Sequence, residues 1–172
     1  MDNKQKVIDF YINREKNKGK NIDENQDENI RVIKLCGNWN LEQTLNDNDV
    51  LQLVTVICEE SKDLIINNQR LLIDIAKEAQ KQLNEEWKSG RNKDFIEKLL
   101  KELEENENAF ELDSVILREK VNGEPKNGSY YLQDGNHRMI ASGIFFLRHK
   151  KFPKLSFHIG RSVDRVKFFN GK

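Results

Sequence analysis

Residues 130–142, Tyr-Tyr-Leu-Gln-Asp-Gly-Asn-His-Arg-Met-Ile-Ala-Ser, read as a strand, a one-glycine turn and a helix opening on Asn-His-Arg. A strand that feeds directly into a helix commits this part of the chain to a sheet with a helix packed on it. A helix N-terminus also carries unpaired backbone N–H groups and the positive end of the helix dipole, which suits it to anions. Asp134, Asn136, His137 and Arg138 crowd that end within five residues. The pattern points to chemistry on a phosphate or carboxylate. The plainer reading is that Asp134 or Asn136 caps the helix while His137 and Arg138 sit beside it on the surface.

The flanking sequence continues the mixed pattern. Asp113–Lys120 reads as a strand. A turn-rich loop over 121–129, with Gly123, Pro125 and Gly128, leads to a second strand at 130–133 that is predicted to run antiparallel to the first. The helix over 136–150 places Ile140, Ile144 and Leu147 on one face, with Met139, Gly143 and Phe146 adjacent, so most of its sides are predicted to be buried. Leu155–Ile159 reads as a third strand, and the basic tail from Arg161 either packs back or frays.

Upstream, residues 1–29 form a polar segment, partly flexible. In it Val7, Ile8, Tyr11 and Ile12 make a turn or two of amphipathic helix, and 13–29 read as a solvated linker. Residues 30–109 form a mainly helical region. Within it Ile30–Cys36 alternates like a strand, and Val50–Ile57 is ambiguous but favours helix, with Asp47 or Asp49 as its cap. Leu72, Ala76, Ala79, Leu83 and Trp87 mark one face of a long helix. Phe95, Ile96, Leu99, Leu100 and Leu103 mark a second, beginning near Asn92. Such stripes are explained by a core without any cofactor. Residues 110–172 form an α+β unit, and the whole is assigned to the α+β class.

Composition narrows the functional classes. The 29 Lys and Arg residues equal the 29 Asp and Glu residues, so the basic excess of a bulk DNA binder is missing. Cys36 and Cys58 lack CxxC spacing and nearby histidines, and read as idle thiols in a reducing compartment. No apolar run of about 18 residues offers a membrane span, and the first residues lack the apolar core of a signal peptide. A cytoplasmic location is expected. The oligomeric state is not legible.

Asp134, Gly135, His137, Arg138 and Ala141, set between a strand pair and a further strand, resemble the ParB-like (ParB/sulfiredoxin) superfamily. The resemblance covers roughly residues 110–160. It implies a small mixed sheet with the motif at a nucleotide phosphate. Members include CTP-hydrolysing partitioning proteins, a free-serine kinase group with a similar Asp-Gly-His-His-Arg, DNA-modification-associated proteins and sulfiredoxins. This chain has Asn136 where sulfiredoxins need a cysteine, which argues against sulfinic-acid repair. The residues after the motif show no basic helix-turn-helix, which argues against chromosome partitioning. Residues 40–105 do not follow the family pattern, and Asn67-Asn68-Gln69-Arg70 only loosely resembles the polar loop that closes the pocket in relatives.

The resemblance and the residue types together give each side chain an expected role. Gly135 supplies a backbone shape or close approach that a side chain would block. The N–H groups after it, with Asn136, hold phosphate oxygens. Arg138 offers a planar fork for phosphate, or else an ion pair with an acid such as Glu119. His137 donates to phosphate or shuttles a proton, or else caps the helix or fills the core. Asp134 orients His137, binds Mg²⁺ through the nucleotide or acts as a base, or else caps. Glu119 is favoured over Arg118 as an additional carboxylate facing the motif. His149 and His158 read as structural or exposed.

The implied ligand is a nucleoside di- or triphosphate with Mg²⁺. The leading functional reading is a phosphotransferase or nucleotide hydrolase. A non-catalytic nucleotide- or nucleic-acid-binding module, gripping a protein partner through its helical region, and a ParB-like nuclease are the alternatives.

Overall fold

A computed structural model describes residues 2–55, 62–65, 70–85, 90–121, 128–164 and 167–168. Among them, five strands form one mixed sheet between two helical layers. The helices are α1 (Asn3–Asn17), α2 (Glu28–Leu35), α3 (Asp47–Leu51), α4 (Leu72–Leu83), α5 (Gly90–Glu105) and α6 (Asn136–His149). The strands are β1 (Cys36–Gln43), β2 (Val54–Thr55), β3 (Val115–Arg118), β4 (Tyr131–Asp134) and β5 (Phe157–Val163), in the order β1-β5-β3-β4-β2. The α+β assignment holds at this level.

Strand alternation builds the layers. In β3, Val115 and Leu117 face Leu132, Met139 and Leu72 under α4 and α6, whereas Ile116 faces Val7, Ile8, Tyr11 and Trp39 under α1 and α2. A further cluster joins α4, α5 and α6 through Ile75, Ala76, Ile96, Leu100, Ile140 and Ile144. The predicted antiparallel strand pair is β3 with β4, where Ile116 lies opposite Asp134 and Arg118 opposite Tyr131. β5 runs parallel to β3, with Phe157 beside Val115.

The N-terminal half departs from expectation in three places. Ile30–Cys36 is not a strand: α2 runs from Glu28 to Leu35 and β1 begins at Cys36. Asp27 accepts a hydrogen bond from the Ile30 N–H and starts that helix, with Ile30 and Ile33 then facing inward together. Residues 13–17 are not linker. They complete α1, and Arg14 and Glu15 are buried. The ambiguous stretch splits into the short helix α3 and the strand β2, and the cap is Asn46, which accepts from the Asp49 N–H, rather than Asp47 or Asp49. Cys36 is buried, and burial pushes its thiol up to about 12. Ile57, Cys58, Asn67–Gln69, Trp87, Gly123 and Pro125 lie outside the described residues. No described helix is long and apolar enough to cross a membrane.

Candidate functional site

β4 delivers the chain to Asp134, and α6 begins two residues later. Gly135 makes the join in the left-handed region at φ 101°, and its carbonyl accepts the Met139 N–H at 3.0 Å to close the first turn. A Cβ on Gly135 would lie 3.1 Å from Arg138 Nη2 and 3.2 Å from Val115 Cγ2. The expectation of a glycine-only position is met by both conformation and space. No side chain caps α6, so neither Asp134 nor Asn136 is spent on that task. The Asn136 Oδ1 is buried without a hydrogen-bond partner.

α5 lies parallel to α6 and starts beside it at the same pole. Asn92 Oδ1 sits 3.2 Å from His137 Nε2 at the start of the two helices, while Glu104 meets Arg148 and His149 near their ends. Two positive dipole ends therefore stand side by side. The contact fits the tautomer that carries its proton on Nε2. The Phe95 ring packs edge-on against His137, centroids 4.7 Å apart, and is itself 44% exposed.

Asp134 and Arg138 face a different neighbourhood from the one expected of phosphate ligands. Arg138 is 7% exposed and turned inward. Its Nη1 lies 2.7 Å from Asp113 Oδ2, it donates to the Asp113 carbonyl, and its Nη2 lies 3.8 Å from Asp134 Oδ2. Burial pulls this guanidinium below the usual arginine range. Nearby Arg14 pushes the same way, and Asp113 and Asp134 oppose them. Arg14, reaching across from α1, donates to Asp134. It also approaches Asp113 Oδ1 at 3.8 Å and the Ser114 carbonyl at 3.5 Å. Burial disfavours the Arg14 charge, but Asp134 and Asp113 outweigh it and hold the group above its usual value. Phe10 and Tyr11 flank the guanidinium at 5.4 and 5.5 Å from their ring centroids.

Arg138 and Glu119 do not pair, contrary to the alternative the sequence offers, and Glu119 is not brought to the motif. The β3–β4 register puts Ile116 opposite Asp134, so Glu119 lies three residues further along, past the strand's other end. There it pairs with Arg161 at 3.3 Å and accepts the Ser162 N–H at 2.9 Å. Arg118 stacks on Tyr131, 4.1 Å from its centroid. Arg70 donates to the Thr55 carbonyl and the Tyr131 hydroxyl at that same remote end. His149 pairs with Glu104, and His158 is buried beside Phe10.

Asp134, Gly135, Asn136, His137 and Arg138 therefore share one pole of the molecule, joined by Arg14, Asp113 and Asn92. Sequence reasoning missed Arg14: it continues the buried stripe of α1, three residues after Tyr11 and seven after Val7, but its charge masks that spacing. Among the described residues, no three His, Cys, Asp or Glu side chains gather as a metal site. No family model matches the chain, and neither curated proteins nor solved structures provide a match.

Proposed function

We propose that the paired N-termini of α5 and α6 bind a nucleotide phosphate, and that the protein is a ParB-like phosphotransferase or nucleotide hydrolase. The observation that carries this reading is the His137–Asn92 contact at the start of two parallel helices, above a glycine turn that leaves α6 without a side-chain cap. An anion there meets two helix dipoles and the His137 imidazole. His137 then donates to a phosphate oxygen or moves a proton at the attacking or leaving atom. Mg²⁺ arrives on the nucleotide's own phosphates, since Asp134 already faces two guanidinium groups. Arg138 shapes the turn from inside, in place of the direct phosphate contact that its residue type suggested.

The test is a thermal-shift screen with ATP, ADP, CTP, GTP and inorganic phosphate, with and without Mg²⁺. Ligand at about 100 times its dissociation constant adds about 2.7 kcal/mol of stability. His137→Ala is the informative variant. Arg138→Ala would take the close counter-charge from Asp113 and destabilise the fold by itself. One nucleotide is expected to shift the wild type and to lose that shift in His137→Ala, with product analysis then done on that nucleotide. Binding without turnover across phosphoryl acceptors would instead support a non-catalytic nucleotide-binding module. No shift with any ligand would overturn the proposal.

A further inference from the structure

We infer that Arg14 is a positioning residue for the Asp134–Arg138 turn, which makes α1 part of the site's machinery. The consequence for ligand binding rests on the phosphate reading above; the consequence for the turn does not. Asp134 is the last residue of β4, and its carboxylate lies where the strand hands over to α6. Arg138 alone cannot serve both carboxylates near it: it sits 2.7 Å from Asp113 and only 3.8 Å from Asp134. Arg14 supplies the missing counter-charge, and two guanidinium groups then match two carboxylates.

The remainder of the cluster supports the same assignment. Glu15 lies next to Arg14, 3.4 Å from its Nε, but its oxygens are taken by Lys18 at 2.7 Å and Lys20 at 2.6 Å. Glu15 therefore does not compete strongly for Arg14. At the turn itself the charges balance, with Arg14 and Arg138 against Asp113 and Asp134, while Lys18 and Lys20 occupy Glu15. The rings of Phe10 and Tyr11 restrict the Arg14 side chain and cover it from water. Without Arg14, Asp134 would draw Arg138 off Asp113, and the turn that sets Gly135 and His137 would loosen.

Hydrogen exchange tests the positioning role without any ligand. The Met139 and Ile140 amides report on the turn, and those of Leu99 and Leu100 in α5 report on global opening. Arg14→Gln is expected to speed exchange at Met139 and Ile140 about tenfold more than at Leu99 and Leu100. Arg14→Lys, which keeps the charge but not the fork, should recover most of the protection. In an Asp134→Asn background Arg14→Gln should add little, because Arg14 acts through that carboxylate. Equal acceleration at all four amides would reduce Arg14 to packing and overturn the inference. An undiminished effect in the Asp134→Asn background would overturn it too. Where a nucleotide binds the wild type, Arg14→Gln should weaken that binding about tenfold under conditions where it remains folded. A wild type that binds no nucleotide refutes the phosphate reading, while the exchange result still decides the role of Arg14.

Discussion

At the scale of single residues, Gly135 is the position where conformation and space agree most closely. A left-handed φ of 101° costs an L-residue about 1–2 kcal/mol. A methyl there would also press on Arg138 Nη2 and on Val115. Arg138 cannot swing away cheaply, because Asp113 holds its other nitrogen. Val115 is a core residue of β3 and has little room to retreat. Gly135→Ala is therefore expected to lower unfolding stability by about 2–3 kcal/mol, the backbone and contact terms together. Urea denaturation followed by circular dichroism measures it. A loss below about 0.5 kcal/mol, the level of an ordinary surface substitution, would mean that the turn accepts a different geometry. Nearby, Asn136 Oδ1 is one of the buried polar atoms among the described residues that has no hydrogen-bond partner.

At the scale of elements, the crossing of α4 and α6 is set by small residues. A Cβ on Gly143 would fall 2.7 Å from the Ala76 Cβ, closer than two methyl groups can pack. Gly143→Ala gains about 1 kcal/mol of helix propensity, yet it should destabilise by about 1–3 kcal/mol net because the helices must part. Ala76→Gly in the same chain moves the methyl from one helix to the other and should restore part of the loss. Thermal unfolding of the two single variants and the double variant checks the cycle; additive losses would mean that the two positions do not touch. This contact belongs to a part of the fold that was legible in the sequence. The α4 stripe, the start of α5 near Asn92, the β3–β4 hairpin and the motif helix all carry long or well-bounded apolar patterns. The α2 segment was not legible, because the seven residues Ile30–Cys36, with Ile30, Val32 and Ile33, fit periods of two and of three and a half alike. The Asp27 cap decides it. The last turn of α1 was hidden for a different reason: its buried face is Arg14 and Glu15, so its charge resembles a solvated linker. Five adjacent site residues could be named from the motif, whereas Arg14, 120 positions before Asp134, could not. Alternation can give the face of Glu119 but not which end of β3 meets the motif, and the β3–β4 register settles that.

At the scale of the whole molecule, equal numbers of acidic and basic residues leave little net charge near neutrality. Stability against pH should then follow local groups, and two of them are placed to dominate the acid side. His158 accepts the Glu42 N–H at Nδ1 and packs edge-on against Phe10, an arrangement that requires the neutral ring. Burial holds His158 below its ordinary 6.5; Glu42 pulls the other way and Arg14 adds to the lowering. The unfolded chain therefore takes up this proton first, so stability starts to fall as pH drops below about 6.5. Glu15 acts lower. Burial would raise its carboxyl, but the hydrogen bonds and charges of Lys18 and Lys20 win and hold it at about 2, against 4.5 when unperturbed. Its ion pairs stabilise the fold fully above pH 4.5 and are lost as pH falls towards 2. Urea midpoints between about pH 3 and 8 should show both steps, a shallow decline from about 6.5 and a steeper one below about 4.5. His158→Asn keeps an acceptor for the Glu42 N–H and removes the titration, so it should flatten the upper step alone. Glu15→Gln should flatten the lower step alone, at a lower midpoint throughout. An acid limb that keeps its shape in both variants would assign acid sensitivity to other carboxylates.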